Sequence, residues 1–322
     1  MFEEQYMRRC FQLAHQGLGR TRPNPLVGCV IVKNDSIVSE GYHQEIGHDH
    51  AERNAILHCP HPKELAGATL YVNLEPCAHY GLTPPCTTLV AESGVTHVVV
   101  CNDDPNPKVQ GRGYDILRQK GIAVTTHVLE QEGRFLNRRF FTFMEQGRPY
   151  IILRWAQTAN GFMDIERPSQ QQYWITNNAL KQLNHRWRTE EAAILVGSQT
   201  FLNDQPQLTA RLWSGNQPQR FVLDRRGRIA ERPEWNILRT PTLPEAIHCI
   251  ADRKIQSLIV EGGRTLLDAF IQEGLYDEIR IMQAPVLFHN GTPAPTLPQR
   301  HATSYTHQAF GDNTLDTYYY LG

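Results

Sequence analysis

Apolar residues recur along this chain at two periods, one helical and one strand-like. Tyr6, Cys10, Leu13 and Ala14 share a helical face and predict a first helix over about 3–17, ended by Gly17 and Gly19. A continuous apolar run at 26–33 reads as a buried strand, Asn34-Asp35 as a turn, and 37–41 as the returning strand of a hairpin. Further on, helices are expected at 51–57, 86–93 and 114–120, and one long helix at 130–145. Strands are expected at 69–73, 97–101 and 122–125. Gln146-Gly147-Arg148-Pro149 has the composition of a linker. After it the alternation restarts, with strands at 150–155, 193–197, 220–223, 257–260, 278–284 and 317–321 and helices at 178–188 and 265–272. Strands alternating with helices make an α/β layer. Two α/β domains follow as the expectation, 1–147 and 148–322.

Length supports the division, because 322 residues are long for a single core. Hydrophobic content of 40% with 20% charged residues fits a soluble globular chain. The formal net charge of -1 points away from a non-specific polyanion binder, so no nucleic-acid partner is expected. Seven irregularly spaced cysteines do not read as a disulfide framework and suit a reducing cytoplasm. The acidic start, Met1-Phe2-Glu3-Glu4-Gln5-Tyr6, lacks the apolar region of a signal peptide, and no run approaches the ~20 residues of a membrane span.

The candidate chemistry is concentrated between residues 50 and 86. His50-Ala51-Glu52 is followed by Pro76-Cys77 and by Pro84-Pro85-Cys86. An imidazole, two thiolates and a spare carboxylate are the inventory of a zinc site that activates water for deamination, with the glutamate as acid/base and not as ligand. Zinc with three protein ligands keeps one position for water. His50, Cys77 and Cys86 supply three, and Glu52 is the proton shuttle, its pKa raised by burial while the cation pulls the other way. His79 between the cysteines is an alternative third ligand in place of Cys86. Residues two apart on a helix diverge by roughly 200°. His50 and Glu52 therefore converge on one metal only at a helix N-terminus, closed by Gly47-His48-Asp49. Eight residues separate the two cysteines, where the general deaminase signature has two.

These residues resemble the bifunctional riboflavin-biosynthesis family in which a diaminohydroxyphosphoribosylaminopyrimidine deaminase is fused to a 5-amino-6-(5-phosphoribosylamino)uracil reductase. The resemblance is carried by Pro23-Asn24-Pro25-Leu26-Val27-Gly28, Gly41-Tyr42-His43, His50-Ala51-Glu52, the stretch from Leu74 to Cys86, and Asp104-Pro105-Asn106-Pro107. It extends over nearly the whole chain. It implies a cytidine-deaminase-like α/β/α domain followed by a dihydrofolate-reductase-like α/β domain. It also implies His50, Cys77 and Cys86 on zinc, Glu52 as shuttle and Asn24 on the pyrimidine, with His43 and His79 at the substrate. An amide suits a base edge because it offers both donor and acceptor. The implied partner is a phosphorylated pyrimidine, with no membrane or nucleic acid, and a homo-oligomer stays open.

No G-x-G-x-x-G occurs in the second half. Instead an apolar strand runs into Glu261-Gly262-Gly263-Arg264-Thr265-Leu266. Glycines admit a ligand to the backbone and a helix N-terminus offers N–H groups to phosphate. With the resemblance, Gly262, Gly263, Arg264, Thr265 and Leu266 become an NADPH site, joined by Ala156, Trp174, Thr200 and Asp204. The same resemblance implies that Arg188, Leu208, Arg211 and Glu261 hold the substrate, the arginines by bidentate bonds to its phosphate. Arg225 and Arg226 are candidates for a 2′-phosphate partner. Three stretches depart from the family pattern. Ser-Leu-Asp-Gly reads Thr158-Ala159-Asn160-Gly161, a serine is Gln172, and Asp-Asp-Pro reads Asp204-Gln205-Pro206. A nucleobase or tRNA deaminase with an appended binding domain, and a structural zinc module with four ligands, are the competing readings.

Overall fold

Two compact units divide the chain, Met1–Gly147 and Arg148–Gly322, and the computed structural model describes residues 4–78, 84–106, 110–165 and 173–320. In the first unit, α1 (Glu4–His15) buries Tyr6, Met7, Cys10, Leu13 and Ala14, the face its spacing predicts. It lies on β1 (Gly28–Lys33) so closely that a Cβ at Gly28 would overlap the Cys10 carbonyl. Only glycine permits that approach.

β1 pairs antiparallel with β2 (Ser36–Tyr42) and with β3 (Thr69–Leu74). β4 (His97–Asn102) and β5 (Ala123–Thr125) continue the sheet in parallel, in the order β2-β1-β3-β4-β5. Parallel neighbours need crossover helices. α3 (Cys86–Glu92) and α4 (Arg112–Gln119) fill that role, and α2 (Ala51–Leu57) follows β2. A Cβ at Gly41 of β2 would meet the α2 backbone at Ala51 and Ala55, so this glycine sets how closely α2 rests on the sheet.

The long helix expected at 130–145 is two helices, α5 (Glu130–Leu136) and α6 (Arg138–Gln146). The break is Asn137, whose backbone turns at φ -97°, ψ 22°. Its buried amide accepts from Leu26 N–H at 2.8 Å and donates to Leu26 O at 2.9 Å. Asn73 makes a second such clamp, accepting from Gly28 N–H and donating to Leu26 O. A tertiary pair of hydrogen bonds thus overrides local helix preference and fixes the loop that carries Asn24.

The second unit is built on an eight-stranded sheet. Its strands are β6 (Tyr150–Thr158), β8 (Ala193–Gly197), β9 (Gln219–Leu223), β10 (Asn236–Leu238), β11 (Ser257–Val260), β12 (Glu278–Ala284), β14 (Ser304–Phe310) and β15 (Asn313–Tyr319). The order is β10-β9-β8-β11-β6-β12-β15-β14, parallel as far as β12, with β15 and β14 added antiparallel. Short β7 (Phe162–Asp164) and β13 (Thr292–Pro293) pair separately. Helices α7 (Asn178–Glu190), α8 (Ser198–Asp204), α9 (Leu243–Ala251) and α10 (Arg264–Gln272) connect the strands. The apolar β6, β8 and β11 are buried on both faces, as a covered parallel sheet requires. No helix among the described residues is long and apolar enough to cross a membrane.

Asn160 is explained by this unit. Its Oδ1 accepts from Phe288 N–H at 3.2 Å and its Nδ2 donates to Phe288 O at 2.7 Å. An aspartate lacks the donor. Asn160→Asp should lower stability by about 1 kcal/mol, read as a reduced denaturant midpoint.

Candidate active sites

In the first unit the candidate ligands come from three elements. His50 is the N-cap of α2, with extended backbone at φ -69°, ψ 164°, and Glu52 lies in the first helical turn. The convergence problem is resolved there: His50 has not yet entered the helix, so the helical rotation does not separate it from Glu52. Asp49 braces this start, its carbonyl accepting from Asn54 Nδ2 at 3.2 Å. Cys77 follows the C-terminal end of β3, and Cys86 is the first residue of α3. Cys86 N–H donates to Cys77 Sγ at 3.3 Å, and Thr87 donates its N–H and its hydroxyl to Cys77 O.

Cys77 Sγ and Cys86 Sγ lie 3.6 and 3.4 Å from His50 Nδ1, and all three donor atoms fall within 4.8 Å of one another. Two ligands at the corners of a tetrahedral zinc, one sulfur and one nitrogen, are separated by about 3.6 Å given the usual bond lengths. The spacing and the soft thiolate–imidazole chemistry therefore fit zinc. Hydrogen bonding from Cys86 first, and from His50 next, pulls the Cys77 thiol down, so the pair holds a thiolate. The same bond and burial push Cys86 up.

Glu52 is 3% exposed, and burial pushes its carboxyl up to about 7, with the Cys77 sulfur adding to the shift and His50 opposing it. Asn24 and His43 join the cluster: Asn24 Nδ2 lies 3.2 Å from His43 Nε2, and the His43 ring meets the His50 ring edge-on at 5.5 Å. His79 lies outside the described residues.

The second unit encloses a cavity of about 240 Å³. Ala156, Trp174, Arg188, Thr200, Asp204, Leu208, Glu261 and Gly262 all line it. Gly262 and Gly263 form the turn into α10. A Cβ at Gly262 would come within 2.7 Å of the Leu266 side chain, and Gly263 N–H donates to Thr200 Oγ1. Gly262 lines the cavity, so backbone without a side chain faces the space that a dinucleotide would occupy. Lys181 Nζ lies over the Trp174 ring at 4.4 Å.

Not every expected residue reaches the cavity. Arg211 is exposed on the loop after α8, Arg264 pairs with Asp268, and Leu266 packs into the core beside Thr265. Arg225 and Arg226 are exposed after β9, and Gln172 lies outside the described residues.

One residue escaped the sequence reading. Arg154, in the middle of β6, places Nη1 3.2 Å from Glu261 Oε1 while Arg188 donates to Glu261 Oε2 at 2.8 Å. Its signal was a single cation inside the apolar run Tyr-Ile-Ile-Leu-Arg-Trp. Burial pulls Arg154 down to about 10. Burial pushes Glu261 up, but the two arginines outweigh it and hold the carboxyl below its usual value. Asn184 Oδ1, buried at the cavity wall, has no hydrogen-bond partner among the described residues and is left for a polar ligand. His185 beside it is pulled down to about 4 by burial, with Arg188 and Arg211 adding to the shift.

Gln205 ends α8 in the left-handed region at φ 40°. Gln205→Gly should therefore raise stability by about 1 kcal/mol, read as a higher thermal midpoint.

The riboflavin biosynthesis protein RibD of Actinobacillus pleuropneumoniae is 38% identical over 322 residues, spanning 89% of this chain and 85% of its own. The chain belongs to the RibD family. Its Escherichia coli K12 member is 37% identical, over 89% of each chain. The family's two modules match in order. The cytidine and deoxycytidylate deaminase zinc-binding region covers 1–102, and the RibD C-terminal domain covers 149–310. The first span contains Asn24, His43, His50, Glu52, Cys77 and Cys86, and the second contains every cavity residue named above. Among solved structures, Acinetobacter baumannii RibD superposes with a TM-score of 0.87 at 32% identity, over 99% of both chains. The Thermotoga maritima diaminohydroxyphosphoribosylaminopyrimidine deaminase/5-amino-6-(5-phosphoribosylamino)uracil reductase gives the same score and identity, over 99% of this chain and 98% of its own. The expected fold, a cytidine-deaminase-like domain followed by a reductase domain, holds.

Proposed function

We propose that this chain carries out two consecutive steps of riboflavin biosynthesis. Residues 1–147 deaminate 2,5-diamino-6-ribosylamino-4(3H)-pyrimidinone 5′-phosphate, and residues 148–322 reduce the ribosyl chain to ribityl with NADPH. The observation that carries the reading is the triangle of His50 Nδ1, Cys77 Sγ and Cys86 Sγ with buried Glu52 beside it.

Zinc, when held by those three atoms, makes water acidic enough to lose a proton near neutral pH. Glu52 would take that proton on a carboxylate oxygen and deliver it to the pyrimidine ring nitrogen as the water oxygen adds to the amine-bearing carbon, then pass the second proton of the same water to the amine, whose C–N bond breaks to release ammonia and leave a carbonyl. A carboxyl that burial raises and a bound cation would draw back is suited to both halves of the transfer. Asn24 presents its amide to the base edge.

In the second unit, NADPH supplies the hydride that reduces C1′ of the opened ribose. Glu261, gripped by Arg154 and Arg188, faces the sugar or base. Arg188, which lines the cavity, carries positive charge that a phosphate dianion needs. Thr200, Asp204 and the Gly262-Gly263 turn hold the cofactor, with Trp174 at its side. Seven free cysteines support a reducing cytoplasm as the compartment of the enzyme. Its substrate is a small molecule and not a nucleic acid.

The test measures zinc content and then follows ammonia and NADPH separately in one assay. About one zinc per chain is expected. Ammonia should appear from the diaminopyrimidine without NADPH, and NADPH should be consumed only with the deaminated product. Ammonia release without any NADPH oxidation would favour instead a nucleobase or tRNA deaminase with an appended binding domain.

A further inference from the structure

We infer that His43 is a positioning residue that orients the Asn24 amide, so that Asn24 faces the pyrimidine with its carbonyl oxygen alone. The inference rests on the reading of the first unit as the deaminase and extends it to how the base is chosen.

Hydrogen-bond direction fixes the tautomer of His43. His43 Nδ1 lies 3.1 Å from the Asp49 carbonyl oxygen, which can only accept. The proton is therefore on Nδ1. The ring is 2% exposed, and the atom that faces Nε2 is the Asn24 amide nitrogen, which can only donate. Nε2 is then bare and must accept. Its partner at 3.2 Å is Asn24, which has to turn its Nδ2–H toward the ring. With Nδ2 so placed, Oδ1 points the other way and takes no partner among the described residues.

The frame behind this chain of bonds is fixed. Asp49 O also accepts from Asn54 Nδ2, which donates in addition to Tyr42 O at 2.8 Å. His43 N–H donates to Val27 O at 2.9 Å, tying the ring's own backbone to the loop that carries Asn24. Both ring nitrogens of His43 are thus committed within the protein, and its influence on the substrate passes through Asn24. An acceptor alone at that position selects a base edge bearing an N–H donor, as an amino group or a ring N–H does, and rejects one bearing only an acceptor.

Two measurements on the zinc-loaded full chain decide the matter. In ¹⁵N NMR, assigned by comparison with His43→Gln, His43 should show protonated Nδ1 and bare Nε2. An Nε2–H tautomer or a doubly protonated ring would overturn the proposal. In kinetics, His43→Gln should raise KM for deamination about tenfold, the loss expected for one misdirected hydrogen bond, with a smaller change in kcat. In an Asn24→Ala background the same substitution should have almost no further effect. A full additional loss there would show that His43 touches the substrate itself. Zinc content and the reductase rate of each variant serve as folding controls. If His43→Gln does not fold, the wild-type tautomer still decides the hydrogen-bond direction. A wild type that releases no ammonia would overturn the deaminase reading and with it the base selection, while the tautomer remains readable without turnover.

Discussion

Glu52→Gln should keep its zinc and lose deamination by about 10²–10⁴-fold. Glutamine has nearly the same volume as glutamate, so the 3% exposed site in the first turn of α2 keeps its packing. The three donor atoms that fit the metal, His50 Nδ1, Cys77 Sγ and Cys86 Sγ, are untouched. What disappears is the exchangeable proton. An amide cannot take a proton from water and return it to a leaving amine near neutral pH, whereas a carboxyl can do both. Ammonia release, zinc content by elemental analysis, and NADPH oxidation with the deaminated pyrimidine should be measured on the same preparation. The first should collapse while the other two stay at wild-type values. Full ammonia release from Glu52→Gln would remove this residue from the chemistry; loss of zinc together with activity would instead make it part of the metal's support.

The zinc cluster was legible because its chemistry tolerates few substitutes and its residues sit within 37 positions, from His50 to Cys86. Even the geometric objection to His50 and Glu52 contained its answer, a helix that begins between them. The second site was legible only through the family resemblance. Its lining comes from β6, α7, α8, the turn at 206–208 and the turn after β11, over a hundred residues apart, and no local spacing announces such a set. Arg154 shows the cost: within an apolar strand it reads as an interruption until Glu261 is seen against it. The folding pattern failed where tertiary bonds or exposure decide. Asn137 breaks a helix because Leu26 offers both a donor and an acceptor, and nothing near 137 reveals that. β14 is exposed along nearly its whole length and so carries no apolar alternation. α9 was more accessible, since Thr242 accepts from Glu245 N–H and Pro244 lies in the first turn, a capping signature that the apolar periodicity alone does not use.

Replacing Glu261 should destabilise the second unit strongly. Its carboxylate is 9% exposed and meets two guanidiniums that are themselves buried, Arg188 at 2.8 Å and Arg154 at 3.2 Å. Glu261→Ala leaves two positive charges of low solvent access facing a gap. Removing one partner of a buried ionic cluster costs about 3–5 kcal/mol, because the desolvation of the remaining charges is no longer offset. That is a large share of the stability of a domain of this size. Glu261→Gln should fall between the two, since its amide oxygen can still accept from Arg188 but carries no charge. Removing Arg154 as well, as Arg154→Met in the Glu261→Ala background, should recover part of the loss, the strong non-additivity expected of groups in contact. Denaturant unfolding with separate probes for the two units would follow this, with zinc retention reporting on the first. Inorganic phosphate should raise the midpoint of Glu261→Ala more than that of the wild type, because an anion can take the place of the missing carboxylate between the arginines. A loss below about 1 kcal/mol for Glu261→Ala would mean that water reaches these charges freely, as it does in surface pairs. The cavity would then lack the low-dielectric surroundings in which one carboxylate and two guanidiniums could hold a sugar phosphate in register with the nicotinamide.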